Sequence, residues 1–372
     1  MQDDKALFDI FRHPQTIRAL SHKIHQEALK LSQPLKIMEV CGGHTHTIMK
    51  YGLKQLLPQM IEFIHGPGCP VCIMPKERID QAIALARMSD TILLTLGDMI
   101  RVPGSQSSLV QERARGCDIR PLYSPMDALK IARENPTKNV IFFAIGFETT
   151  TPMTAAVILR ADQENLHNLY FHINHVLVPP AVHAIMDDPK NRIDAFIGPS
   201  HVSVITGSQI YEPIANRYGT PVVVSGFEPV DVMEGILKII GQKNENRSEV
   251  EVQYSRAVTQ GGNHKAQAMI DKTMSVRENF RWRGLGDIAH SALKLRDEYA
   301  HLDAEVVFSQ VLSYEPIDDH KLCICGSILK GLAKPIECTV FGTACTPNSP
   351  LGSCMVSSEG SCNAYYRYGS AG

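Results

Sequence analysis

The 372-residue chain has a single tryptophan, few aromatics and almost no net charge. Aromatic residues make up 6%, and 37 Lys and Arg stand against 39 Asp and Glu, so nothing argues for a nucleic-acid surface. Long hydrophobic runs are also lacking: NVIFFAIGF and TPVVVSGF are strand-sized, well short of the roughly 20 residues a membrane-spanning helix needs. The opening MQDDKALFDIFRHP is broken by charge throughout and lacks the basic start, apolar run and cleavage site of an export signal. These absences predict a cytoplasmic globular protein with no membrane and no nucleic-acid partner. In that reducing compartment clustered cysteines are more often metal-binding or catalytic than disulfide-forming.

Cysteine is abundant by contrast, with ten residues, six of them in the last fifty as Cys323, Cys325, Cys338, Cys345, Cys354 and Cys362. The others are Cys41 in CGGHTH, Cys69 and Cys72 in GPGCPVC, and Cys117 alone. The length favours roughly two or three domains. Leu7, Ile10, Phe11, Ile17, Leu20, Ile24, Ala28 and Leu31 carry helical spacing and predict two short helices broken near Pro14. After Pro34, short apolar runs alternate with amphipathic stretches, which predicts βα units and a mainly parallel sheet. The candidate strands are LKIMEV, MIEFIH, TILLTL and DIRPLY, then NVIFFAI, LYFHINHV, IDAFIG and TPVVVSG.

EFIHGPGCP echoes AFIGPSHVS, and two strands run into GFE, so the expectation is two related Rossmann-like α/β domains, 35–140 and 141–270. From about residue 275 the strand pattern fades into a charged helical segment, HSALKLRDEYAHLDAE, ahead of the cysteine-rich tail. Residues 1–34 and 271–372 are expected to form a third, helical and cysteine-rich domain. It has too few large apolar residues for a good core, so a metal cluster would supply its cross-links.

Ligands bind beyond the carboxyl ends of parallel strands, where the motif turns fall. Cys41, His44 and His46 project from one such turn, and a helix starting near Thr45 would lower the pKa of Cys41, making it a plausible thiolate ligand or nucleophile. Cys69 and Cys72 form a C-x-x-C pair, suited to redox chemistry or to two corners of a metal site. GFETTTP offers Glu148 as a proton acceptor or donor, while Thr149, Thr150 and Thr151 are good helix-capping types. His172, His175 and His201 are weaker candidates for the same cleft, and Cys117 has no partners nearby.

In the tail, the intervals between Cys338, Cys345, Cys354 and Cys362 are 7, 9 and 8 residues, among turn formers that free backbone N–H groups to bond sulfur. Four such cysteines fit a [4Fe-4S] cluster. Cys323 and Cys325 remain as alternative ligands or redox thiols, and structural zinc is the competing reading.

CGGHTHTI, GPGCPVC, GFETTTP and the tail CICGSILKG with IECTVFGTACTPNSPLGSCMVSSEGSCNAYYRY closely resemble the HypD family of [NiFe]-hydrogenase maturation proteins, across essentially the whole chain. The resemblance implies a cytoplasmic scaffold that binds a small chaperone, HypC, and accepts cyanide from HypE. On that complex an iron atom gains two cyanides and one carbon monoxide before delivery to the hydrogenase large subunit. It further implies that Cys41 is an iron ligand shared with HypC, that Cys69 and Cys72 lie nearby in the interdomain cleft, and that the tail carries a [4Fe-4S] cluster resembling that of ferredoxin-thioredoxin reductase. His44 and Glu148 become candidates for iron contact or proton management. No independent turnover is assigned. The alternatives are a thiol oxidoreductase acting on a protein disulfide and a zinc-stabilised binding module.

Overall fold

The protein is described here by a computed structural model covering residues 9–369. It is α/β, as expected, with two separate parallel sheets. Strands β1 (Leu35–Glu39), β2 (Ile61–His65), β3 (Thr91–Leu96), β4 (Asp118–Leu122), β5 (Asn139–Gly146), β6 (Leu169–His175), β7 (Ala195–Pro199), β8 (Val222–Ser225) and β9 (Val250–Val252) form the framework. The first sheet has the order β2-β1-β7-β8-β9 and the second β4-β3-β5-β6, every pairing parallel. The central strands are buried along nearly their whole length, as β5 shows in NVIFFAIG. Continuous burial is what helices on both faces of a parallel sheet impose.

The sheets do not follow the two chain halves. Ile37 of β1 pairs with Phe63 of β2 on one side and Ala195 of β7 on the other, so residues 35–65 and 195–252 share a sheet. Residues 91–175 build the second sheet between them in sequence, and residue 141 falls inside β5. Local apolar runs locate strands but carry no information on which distant strand each will join.

Seven helices matter below: α1 (Pro14–Ala28), α2 (Gly42–Lys50), α3 (Lys76–Ala86), α4 (Thr151–Gln163), α5 (Ser200–Thr206), α6 (Pro229–Asn244) and α7 (Ser361–Tyr368). Most of the first predicted helix lies outside the described residues; the second is α1. It does not join the cysteine-rich tail. Its stripe of Ile17, Leu20 and Ile24 belongs to the same apolar cluster as Ile236 and Ile240 of α6. The Val230 N–H donates to the Phe11 carbonyl at 3.1 Å, and Arg12 pairs with Glu228. An amphipathic helix goes where its apolar face is covered, and α6 of the first sheet offers that cover.

Residues 274–295 also depart from expectation. Two antiparallel ribbons occur there, Met274–Val276 with Leu293–Leu295 and Asn279–Trp282 with Gly286–Ala289. The predicted helix in HSALKLRDEYAHLDAE is instead the strand Leu293–Leu295, a 3₁₀ turn over Asp297–Leu302 and a short helix from Ala304. Leu293 and Leu295 point inward with Lys294 between them exposed, a period of two that the surrounding charges disguised. Buried Trp282 anchors the region through its indole N–H, which donates to Ser291 Oγ at 2.8 Å.

Candidate functional site

Three strand ends of the first sheet lie side by side. β1 runs into CGGHTH, β2 into GPGCPVC and β7 into GPSHVS, with β1 in the middle. Buried Cys41 caps α2, its Sγ accepting the Gly43 N–H at 3.4 Å. The helix begins at Gly42, yet the expected lowering of the thiol pKa is overturned. Burial pushes Cys41 well up and Glu359 adds to this, while the Gly43 and His44 amides oppose it. Both ring nitrogens of His201, on α5, stand 3.8 Å from the sulfur.

His44 is fully buried but turns toward β8. Its Nε2 faces the carbonyls of Ser225 and Gly226 at 3.2 and 3.0 Å, so that nitrogen carries the proton. Nδ1 has no partner, and burial lowers the pKa to about 4, keeping the ring neutral. The Phe227 ring lies 4.5 Å from that of His44 and 5.0 Å from that of His201. His46 faces elsewhere, edge-on to Tyr368.

The GPGCPVC loop is laced to this turn. The Gly42 N–H donates to the Gly68 carbonyl at 3.2 Å, and a Cβ on Gly68 would stand 2.3 Å from the Cys41 backbone, so only glycine permits the approach. Cys69 and Cys72 are buried, and the Cys72 N–H reaches Cys69 Sγ at 3.3 Å. The tail closes over them: Ser353 Oγ donates to the Cys72 carbonyl at 2.5 Å. Burial pushes the Cys72 thiol up, and the neighbouring Cys354 and Cys69 thiols add to this. All ten cysteines are free thiols.

In the tail, Cys323, Cys325, Cys338, Cys345 and Cys362 line one small cavity with Ile328, Val340, Phe341 and Met355. Cys354 does not line it. The neighbouring thiols of Cys325 and Cys72 hold its pKa below the usual thiol range, at about 6. The Leu351 N–H points at Cys345 Sγ from 3.4 Å. Gly352 has no side chain where a Cβ would stand 2.7 Å from Cys323 Sγ. Among the described residues no three Cys, His, Asp or Glu side chains converge on a point that would hold a single metal ion.

From the second sheet, Glu148 follows β5. Its Oε1 accepts the Val178 N–H at 2.9 Å, its Oε2 has no partner, and burial lifts its pKa to about 7. The expected threonine cap is not made: Thr150 and Thr151 hydroxyls turn back to the Phe147 carbonyl at 3.2 and 3.0 Å. His172 is held by Gln81 at 3.0 Å and stacked on Phe143, inside the layer. His175 Nε2 meets Thr154 Oγ1 at 2.9 Å. Cys117 adjoins β4, half-buried, and does not line the tail cavity.

Two residues gain importance beyond what the sequence gave them. His201, a weaker candidate for the cleft, meets Cys41 across 160 positions of chain. Tyr211, buried with an unpartnered hydroxyl, had no signal in the sequence.

The arrangement defines a cysteine-rich α/β protein whose candidate side chains stand at the strand ends of two parallel sheets, beside a thiol-lined tail. Among the described residues no helix is long and apolar enough to cross a membrane. A family model described as "HypD: Hydrogenase formation hypA family" matches residues 15–369. The hydrogenase maturation factor HypD of Azotobacter vinelandii is 50% identical over 97% of this chain and 96% of its own length. The hydrogenase expression/formation protein HupD of Azotobacter chroococcum is 51% identical over the same shares, and the HypD of Escherichia coli 45% identical over 97% of each. The chain belongs to the HypD family of hydrogenase maturation factors.

Proposed function

We propose that this chain is a cytoplasmic, redox-active scaffold on which the iron of a [NiFe]-hydrogenase active site receives two cyanides and one carbon monoxide. A HypC-type chaperone would share the iron and pass it to the hydrogenase large subunit, and a HypE-type protein would donate cyanide. One observation carries the reading: a single buried thiol, Cys41, stands at the middle strand end, faced by His201 and laced to the loop of a second, paired set of thiols.

The iron is the cargo. Because burial keeps the Cys41 thiol protonated, taking up iron exchanges that proton for metal, and an acceptor is needed in the cleft. Glu148, with a pKa near neutrality and one free oxygen, suits that task. His44 keeps its Nδ1 lone pair uncommitted, as a ligand or acceptor would.

The tail fits a [4Fe-4S] cluster, since its thiols ring a cavity rather than meet at a point and a backbone N–H points at one sulfur. Cys338, Cys345 and Cys362 would hold it, with Cys323 in place of Cys354 as the fourth ligand. When bound, the cluster supplies electrons one at a time. If the Cys69 and Cys72 pair is a disulfide, the Cys354 thiolate would attack Cys72 and release the Cys69 thiolate. Cys325 would then attack Cys354, releasing the Cys72 thiolate and leaving a Cys325–Cys354 disulfide, so that the oxidation passes from the pair into the tail. That exchange also favours a second reading, a thiol oxidoreductase acting on a protein disulfide.

Infrared spectroscopy of the protein co-purified with its HypC-type partner separates the two. Wild type is expected to show bands of metal-bound cyanide and carbonyl, and Cys41→Ala to lose them while keeping the visible absorption of the tail cluster. Persisting bands in Cys41→Ala would overturn the ligand role of Cys41. Their absence from wild type would favour the oxidoreductase.

A further inference from the structure

Buried polar atoms without partners are uncommon in protein interiors, where about nine in ten are hydrogen-bonded. Here they include His44 Nδ1, Glu148 Oε2, Thr149 Oγ1 and the Tyr211 hydroxyl, all beyond the carboxyl ends of strands. The first two belong to residues already placed in the cleft. Tyr211 does not.

Tyr211 ends the 3₁₀ turn Ser208–Tyr211, which follows α5 and therefore the helix that carries His201. Its ring lies over Gly198 of β7, 3.5 Å from where a Cβ would stand, and only 1% of the residue is exposed. Ser203 is close, but its hydroxyl donates to the Pro199 carbonyl at 2.9 Å and it does not reach hydrogen-bond geometry with the phenol. The phenol is within electrostatic reach of Glu148 from the second sheet and of Cys41 from the first. Burial and the neighbouring Glu148 push its pKa up, so the group is an O–H donor at any working pH.

We propose that the Tyr211 hydroxyl is a hydrogen-bond donor to a diatomic ligand on the metal held at Cys41, with the terminal nitrogen of a carbon-bound cyanide as the acceptor it fits. This rests on the iron-carrying reading above. A metal-bound cyanide keeps a basic lone pair on nitrogen, whereas the oxygen of a metal carbonyl is a poor acceptor. A fixed donor therefore marks one coordination position for cyanide and leaves the carbonyl to another. Phenylalanine would fill the same space over Gly198 without the donor.

The test is infrared spectroscopy of the complex with the HypC-type partner, for wild type and Tyr211→Phe, with iron content and melting temperature measured on the same samples. A hydrogen bond to the nitrogen of a metal-bound cyanide raises the C–N stretching frequency. The expected result is a C–N band displaced to lower wavenumber in Tyr211→Phe. Transfer to D₂O should move the wild-type band and leave the variant's in place. Equal band positions in both proteins at equal iron content would overturn the proposal while leaving the iron-carrying reading intact. Wild type without any diatomic bands would overturn that reading and this one with it. If Tyr211→Phe loses its iron or fold, a fluorinated tyrosine incorporated at position 211, a stronger donor of the same shape, is expected to raise the wild-type band further, and an unmoved band overturns the proposal.

Discussion

The cysteines of this protein occupy two unlike settings. Around the tail cavity, thiols face other thiols and apolar side chains, with a backbone N–H at Cys345 and a backbone carbonyl at Cys338. At the strand ends, Cys41 is a lone thiol faced by His201 and the backbone amide of Gly43, while His44, Glu148 and Tyr211, also beyond strand ends, carry uncommitted polar atoms. The first setting is complete once the thiols share a common centre. The second has unmet hydrogen-bonding capacity, as a site that receives something does. Cysteine density is therefore a poor guide to where the reaction occurs.

The largest effect should follow from taking away the tail's centre. Under the proposed reading, Cys345→Ser or Cys362→Ser loses the visible absorption of the cluster, and the tail becomes open to proteolysis. The two sheets have extensive apolar cores of their own and should keep a cooperative unfolding transition. Limited proteolysis with absorption spectroscopy decides the point. A tail that resists protease without its cluster would mean that the cavity is ordinary core.

The contrast between completed and uncommitted groups extends to two buried carboxylates. Glu305 is bracketed by Arg78 at 2.6 Å and by Arg277, and these guanidiniums overcome burial to hold its pKa well below the usual range. Replacing it as Glu305→Gln strands two largely buried cations and is expected to cost about 3–5 kcal/mol in denaturant unfolding. Because the folded pKa is depressed, the stabilisation is present above the unfolded carboxylate range and fades as pH falls toward the folded value. The variant should lose part of this acid sensitivity.

Glu148 has the opposite sign. Its folded pKa is raised from 4.5 to about 7, so folding favours the protonated form, and stability falls as pH rises between those values. Glu148→Gln should flatten that slope, a difference approaching 3 kcal/mol between pH 4 and 8. Melting curves across that range check it, and an unchanged slope would mean that Glu148 has a partner after all.

How far these settings could be read from sequence depends on chain distance. CGGHTH, GPGCPVC and GFETTTP were legible because each places its chemistry within a few residues of a strand end. The eight expected strands all formed for the same reason, their apolar runs being local. The meeting of Cys41 with His201 was not legible, because β1 and β7 are brought together by sheet pairing over a long intervening segment. Near-even spacing made Cys354 look like a partner of Cys345 and Cys362, yet it does not line their cavity, and the turn over residues 353–355 sets its thiol beside that of Cys72. Spacing along a loop says little about direction. The ribbons at 274–295 were hidden by three- and four-residue strands too short to establish a period.

The smallest effect belongs to the thiol that shares neither setting. Cys117 is only partly buried, next to β4 at the edge of the second sheet, and its backbone N–H is bonded to the Glu112 carbonyl at 3.1 Å. Serine preserves that backbone bond and nearly the same volume, so Cys117→Ser is expected to change stability by no more than about 0.5 kcal/mol. Under the proposed reading it should also leave both the visible absorption of the tail and the infrared bands of the cleft in place. The same substitution at Cys354 keeps the volume change identical while removing the thiol that neighbours those of Cys325 and Cys72. If the two variants behaved alike, the role of Cys354 would reduce to space-filling. A difference confined to reduction of the Cys69 and Cys72 pair, followed by thiol titration, would assign Cys354 to the link between the two settings.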